Sequence, residues 1–190
     1  RAHVHESLAF AKQLIPSINS ACFVTHNVPS GRSLQKQVTA EKYKYPVQVN
    51  GFHLVNSVDE LNQLSNELNN NCDTIFVDSL EGILNQEKKP LNNKEVLTHL
   101  ASIYTGPLLG GNRYQVEQGA WAAVVKTGQE QGETSADMLL SAMKGNPVTQ
   151  IPVVTNSKGE RIVNVSALDK HNVQLKPLVL RGATLVRQAP

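Results

Sequence analysis

At 190 residues, with 40% hydrophobic and 18% charged residues, the chain is long enough for one sizeable core and too apolar for intrinsic disorder. Its 18 basic and 16 acidic residues leave a formal charge of +2 with no cationic run able to track phosphates, so nucleic acid is not an expected partner despite a pI of 8.6. No apolar stretch approaches the roughly 20 residues of a membrane span, and the start at Arg1-Ala2-His3, without Met or a signal pattern, reads as a mature or trimmed piece of something longer.

The first periodic segment is His5 to Ile15, where Leu8, Ala9, Leu14 and Ile15 have helical spacing and Pro16 closes the pattern. Ile18 to Thr25 follows as a buried strand. Ser33 or a neighbour caps a helix over Leu34 to Tyr43, and Val47 to Leu54 alternates as the next strand. Ser57, with Glu60 three residues on, is a capping box for a helix from Val58 to Leu68, which the run Asn69-Asn70-Asn71 ends. Thr74 to Val77 is a short apolar strand, Ser79 to Asn85 a helical turn or loop, and Asn93 caps a helix through Ser102. Pro107 to Leu109 is the next strand.

This alternation implies right-handed crossovers and an α/β fold, a parallel sheet flanked by helices on both faces. Farther on, Ala120 to Val125 is an apolar block, and a helix after Gly132 carries Leu139, Leu140 and Met143 to a stop at Gly145. Between them, Lys126 to Glu133 reads as a surface loop or hinge. Ile151 to Thr155 and Arg161 to Val165 flank Asn156-Ser157-Lys158-Gly159 as strand, turn and strand, and Ser166 caps a last short helix ending near His171-Asn172. Cys22 and Cys72 stand at the starts of neighbouring strands. A bridge between them is geometrically conceivable in an oxidising compartment, but two buried free thiols are the favoured reading.

Three strands end in short loops of small polar residues: Asn27, Arg32 and Ser33 after the first, Asp78 and Ser79 after Thr74 to Val77, and Gly110-Gly111-Asn112 after Gly106 to Leu109. Open α/β sheets hold ligands in the crevice at such carboxyl ends. Ser30, Gly31 and Ser33 sit where a loop enters a helix, and backbone N–H groups there suit a carboxylate, the competing role being a simple cap. Asp78 and Ser79 offer a carboxylate for a ligand ammonium or a cap for the following turn. Trp121, inside an Ala and Val block, reads as core. The histidines His3, His5, His26, His53, His99 and His171 lack zinc-ligand spacing, and the sequence has no nucleophile elbow, phosphate-binding loop or triad. The expectation is binding without catalysis, metal or cofactor. A flavodoxin-like or receiver-like enzyme is a rival on the same fold, but receiver chemistry needs an acidic cluster where His26-Asn27 stands.

The ordered set is more specific than any one motif: Leu14-Ile15-Pro16, Asn27-Val28-Pro29-Ser30-Gly31-Arg32-Ser33, Cys72-Asp73-Thr74-Ile75-Phe76-Val77-Asp78, Gly111-Asn112, Val116 and Gly119-Ala120. It continues through Gly132 with Ala136, Met143-Lys144-Gly145-Asn146-Pro147 leading to Ile151-Pro152-Val153, and Val163-Asn164 with Ala167. Together these resemble the ABC-transporter substrate-binding family of the tryptophan and tyrosine binding type, over nearly the whole chain and in the second half of that family.

The resemblance implies a periplasmic-binding-protein-like lobe of type 1, which closes with another lobe on a ligand, the first lobe being absent here. Residues 1–115 then form the C-terminal-lobe α/β domain, 116–147 a hinge-crossing helical segment that packs on the missing lobe, and 148–190 the returning strands and terminal helix. It further implies ligand binding by Asn27, Ser30, Gly31, Ser33, Asp78, Ser79 and Asn112 to a small polar or aromatic metabolite such as an amino acid. A membrane permease or a sensor would be the partner, in a periplasmic or extracytoplasmic location. Where family members commonly carry an acidic residue after the glycine, this chain has Asn112 followed by Arg113, which removes a charge partner for an amino group. Without its lobe, the apolar face of Ala136, Leu139, Leu140 and Met143 needs a substitute: a homodimer, a swapped element or an altered dock. The competing expectation is a non-catalytic interaction or signalling module that has lost its ligand.

Overall fold

The computed structural model describes residues 2–155 and 157–187. The elements are α1 (Val4–Leu14), β1 (Ser20–His26), α2 (Pro29–Glu41), β2 (Gln48–Val55), α3 (Val58–Asn71), β3 (Thr74–Val77), α4 (Asn93–Ile103) and β4 (Leu108–Gly110). They continue with α5 (Arg113–Glu117), β5 (Ala122–Val125), α6 (Gly128–Met143), β6 (Glu160–Asn164), α7 (Val165–Lys170), α8 (Pro177–Leu180) and β7 (Thr184–Val186). Short 3-10 turns follow α2 and α6.

In β1 successive side chains alternate between faces, and both faces are buried, which is why the run is continuously apolar. Cys22 and Val24 pack with Leu61 and Leu68 of α3 and Val96, Leu97 and Leu100 of α4. Ala21 and Phe23 pack on the other side with Leu8 and Ala11 of α1, Leu34 and Val38 of α2 and Leu168 of α7. The result is one sheet between two helical layers. Trp121 is buried in the second cluster, as its apolar block implies.

Among the described residues the sheet runs β2-β1-β3-β4-β5-β6-β7, parallel throughout except for the β5–β6 pair. From β1 the chain moves outward to β2, then returns past β1 to β3. That reversal puts a topological switch point between β1 and β3, where crossover loops diverge and leave a crevice at the carboxyl ends.

Several local expectations need correction. Cys22 and Cys72 are not free thiols but a disulfide, with Cα atoms 5.6 Å apart; the parallel pairing of β1 with β3 brings them to bridging distance. α2 begins at Pro29, four residues before Ser33, because Pro at the first helical position is set to a helical φ and lacks the N–H that would go unpaired there. Ser33 is therefore inside the helix and not its cap. α3 continues through the three asparagines; Asn69 donates to the Ser65 carbonyl at 2.8 Å and the Ile103 carbonyl at 2.7 Å, so tertiary contact holds the last turn.

The cap of α4 is Asn92, whose side chain accepts from the Glu95 N–H at 3.0 Å, and Asn93 is buried behind it. Likewise Asn164, not Ser166, caps α7 by accepting from the Ala167 N–H at 3.0 Å. Most of the stretch from Lys126 to Glu133 is helix, since Thr127 caps α6 by accepting from the Glu130 N–H at 3.2 Å. Ile151 to Thr155 is not a strand: Val153 is 95% exposed and no neighbouring strand pairs with this segment. Asn156 of the expected turn, like Arg1, lies outside the described residues. α5, α8 and β7 have no counterpart in the periodicity, being short or weakly patterned.

α5 and β5 belong to the sheet domain, whereas of the α6 side chains only Glu130 is buried. Leu139, Leu140 and Met143 are 62%, 50% and 74% exposed. No helix among the described residues is long and apolar enough to cross a membrane.

Candidate ligand-binding site

The carboxyl ends of β1, β3 and β4 lead into three polar segments that meet at the switch point. After β1 the chain makes one tight turn, in which the Val28 N–H donates to the His26 carbonyl at 2.8 Å, and enters α2 at once. This close entry requires Gly31: a Cβ there would lie 2.2 Å from the His26 carbonyl oxygen. After β3, the Ser79 carbonyl accepts from the His26 N–H at 2.7 Å and the Thr25 hydroxyl at 3.0 Å, fixing this loop against the first. The Ser30 and Ser79 hydroxyl oxygens are 3.0 Å apart.

The loop after β4 is held by Gln115, a fully buried residue of α5 that sequence reasoning missed. Its carbonyl oxygen accepts from the Gly111 N–H at 2.8 Å and the Asn112 N–H at 3.1 Å, while its amide donates to the Asp78 carbonyl. One side chain thus ties the third loop to the second. Arg113 anchors the same helix by donating to both oxygens of Glu160, at 2.6 and 2.7 Å. The Thr184 hydroxyl and then that guanidinium hold Glu160 below the usual carboxylate range.

The crevice left between these segments, about 200 Å³, is lined by Ala2, Ser30, Ser33, Leu34, Gln37, Asp78, Gly111, Asn112 and Lys126. Of the seven residues singled out from sequence, Ser30, Ser33, Asp78 and Asn112 line it. Gly31 is buried in the first turn of α2 against the end of β1, and Ser79 adjoins through Ser30. Asn27 is turned elsewhere: its carboxamide and backbone oxygens accept from the Arg32 guanidinium at 2.9 and 3.1 Å. Lys126 and Gln37 enter the crevice with no motif to announce them. Gln37 also ties down Ala2, donating to its carbonyl at 2.9 Å.

Asp78 is the electrostatic centre. Burial pushes its carboxyl above the ordinary range, opposed by the Lys126 charge, the Asn112 side chain and the Ser79 N–H. Asn112 donates to its Oδ1 at 3.1 Å, and the approach depends on Gly111, where a Cβ would sit 2.7 Å from that oxygen. Tyr114 stands beside this pair at 42% exposure, its phenol raised by burial and then by the Asp78 charge. Hydroxyls, one carboxylate, one ammonium, two side-chain amides and the positive end of a 13-residue helix therefore share one concavity. Such a set can hold both ends of a small polar molecule by hydrogen bonds and charge. A larger groove, about 770 Å³, lies at the amino end of β4, lined by Leu108, Trp121 and Lys170 among others, and contains none of these residues. Among the described residues no group of His, Cys, Asp and Glu is arranged to hold a metal ion.

The family described as ABC transporter substrate binding protein matches residues 3–187. No curated protein matches the chain. Solved structures of similar fold include a conserved domain protein from Vibrio cholerae (TM-score 0.65, 15% identity, 98% of this chain and 60% of that one). An ABC domain in complex with L-Trp from Streptococcus pneumonia is similar at TM-score 0.66 and 19% identity, over 98% of this chain and 62% of that one. A ligand-free, open substrate binding protein with adhesive properties from Clostridium difficile is similar at TM-score 0.69 and 18% identity, over 98% and 60%. The chain thus spans about 60% of the length of these structures.

Proposed function

This chain belongs to the ABC transporter substrate-binding protein family, and we propose that its β1–β3–β4 crevice is one wall of a cleft that closes between two lobes on a small polar or aromatic metabolite such as an amino acid. The protein binds its ligand and passes it to a membrane permease, or reports it to a sensor, without transforming it. The observation that carries this reading is the convergence of Ser30 and Ser33 from the start of α2, and of Asp78 and Asn112 from the loops after β3 and β4, on one crevice at the switch point. The first turn of α2 and Lys126 suit a carboxylate, and Asp78 suits a hydrogen-bond donor.

α6 supports the two-lobe arrangement. It leaves the domain directly after Lys126, carries Leu139, Leu140 and Met143 into solvent, and returns at β6. In this reading the crossing segment, expected over residues 116–147, starts only after β5, so that residues 126–147 cross to another lobe, and in a chain without that lobe the same face pairs with a second copy. The buried Cys22–Cys72 bridge favours an oxidising, periplasmic or extracytoplasmic location.

The test is isothermal titration of an amino-acid panel, L-Trp first, into the two-lobe protein and its Ser30→Ala and Asp78→Ala variants. Saturable heat that either substitution abolishes supports the reading. Silence across the panel would favour an interaction module that has lost its ligand.

A further inference from the structure

We propose that Glu130 is the clasp of a hinge, fixing the direction in which α6 leaves the sheet domain by gripping the backbone of the segment that returns. Glu130 is the sole buried side chain of α6 among the described residues, and it lies in the helix's first turn. Its carboxylate reaches out of the helix to the returning segment. There Oε1 accepts from the Ser157 N–H at 2.6 Å and the Lys158 N–H at 3.0 Å, and Oε2 from the Gly159 N–H at 3.4 Å. Meanwhile the Glu130 N–H donates to the Thr127 hydroxyl at 3.2 Å, on the outgoing passage. One residue therefore joins the chain where it departs to the chain where it comes back, 27 to 29 residues later.

The receiving segment is shaped for this contact. Gly159 has φ +71°, and a Cβ there would lie 2.8 Å from Val124 Cγ1, so the return turn closes tightly over the end of β5. The His3 ring is 3.5 Å from the same point. Three passages of the chain, at His3, Thr127 and Gly159, thus converge beside one carboxylate. Lys126, which lines the crevice, immediately precedes Thr127. A clasp here sets the orientation of α6 and the position of that lysine together. Charge-assisted bonds to backbone N–H groups suit such a joint, since they are strong enough to define one geometry yet involve no core packing.

The word hinge rests on the two-lobe reading above, but the test needs no ligand, so the two stand or fall separately. In the 190-residue chain, Glu130→Gln replaces one acceptor with an amide donor facing N–H groups. Hydrogen exchange followed by NMR should show Ser157, Lys158 and Gly159 amides exchanging roughly tenfold faster or more, with Phe23 and Ile75 unchanged. Thr127→Ala, which loosens the outgoing passage, should act in the same direction more weakly. Unchanged exchange at Ser157 and Lys158 overturns the proposal. So does acceleration of the Phe23 and Ile75 amides in parallel, which would make Glu130 a residue of global stability instead of a local clasp.

Discussion

Asn112 Nδ2 donates to Asp78 Oδ1 at 3.1 Å across the crevice, joining the loops that follow β4 and β3. In the proposed reading the asparagine stands where the family resemblance leads one to expect a second carboxylate. It supplies a donor to the Asp78 carboxylate, and with Lys126 it partly offsets the cost of keeping that group half-buried. The offset is incomplete, because the Asp78 carboxyl remains above its ordinary range. In the proposed reading a group that serves binding is thus held at some expense to folding.

That imbalance predicts that Asp78→Asn stabilises the protein near neutral pH. The folded-state carboxyl titrates above the unfolded one, so its ionisation opposes folding at pH values above the folded pKa. The penalty fades as pH falls through that value toward the unfolded range. Asn keeps an acceptor for Asn112 without the charge. Its melting midpoint should therefore exceed that of the parent at about pH 7 and converge with it near pH 4. Asp73, Glu130 and Glu160 are shifted the opposite way, so their stabilisation is lost as pH falls, equally in both proteins. A lower midpoint for Asp78→Asn at neutral pH would mean that attraction to Lys126 outweighs burial.

Gln115→Leu should loosen the crevice from behind. The substitution keeps the volume but strands the Asn112 N–H and the Asp78 carbonyl, both part-buried. An unsatisfied group of this kind costs about 1–3 kcal/mol. Urea unfolding should show a loss of about 2 kcal/mol or more. No change would indicate that water replaces the amide.

Gly31→Ala tests how closely α2 must approach β1. The new Cβ meets the His26 carbonyl, which is backbone and cannot swing aside, and also Thr25 Cγ2 at 3.0 Å. Displacing the helix should cost about 1–3 kcal/mol, read as a lower melting midpoint. Ser33→Ala, on an exposed residue of the same helix, should stay within about 0.5 kcal/mol of the parent.

What the sequence exposes and what it hides differ in physical kind. The run Thr74 to Val77 declares its strand because all four side chains are buried between helical layers. Ser57 declares α3 because its hydroxyl accepts from the Glu60 N–H at 3.3 Å, a strictly local bond. The starts of α2 and α6 are equally local and legible: Pro29 at the first position, and Thr127 three residues before Glu130. In α2, the serines that follow the proline offer competing cap hydroxyls and so blur the helix start. Ile151 to Thr155 misleads because β-propensity describes a fit to a neighbouring strand, and none is there. Ser30, Ser33, Asp78 and Asn112 are findable because strand ends are findable. Gln115 and Lys126 are not, since a polar residue's worth to a site depends on which distant backbone it faces. The cysteine pairing belongs to the same class: it follows from β3 lying beside β1, which only the topology decides.

The Cys22–Cys72 bridge should carry a large share of stability, because of what it encloses. The two residues are 50 apart, so the ring contains α2, β2 and α3, including Ser30 and Ser33. Closing a ring of that length in the unfolded chain removes conformational entropy worth about 4 kcal/mol at 25 °C. Both cysteines are buried, at 1% and 5% exposure, so reductant reaches the bridge through opening of the β1–β3 region and not from the native surface. Alkylation in denaturant without reductant should add no mass, and two modified thiols would mean that the bridge does not form. With the bridge intact, urea unfolding of the parent should exceed that of the Cys22→Ala, Cys72→Ala double variant by up to about 4 kcal/mol. A variant of equal stability would mean that β1, β3 and the helices around them hold the unfolded ring's ends together without the covalent link. The crevice would then tolerate reduction. A loss of the expected size means that the fold presenting Ser30, Ser33, Asp78 and Asn112 draws much of its stability from the bridge, which an oxidising compartment preserves.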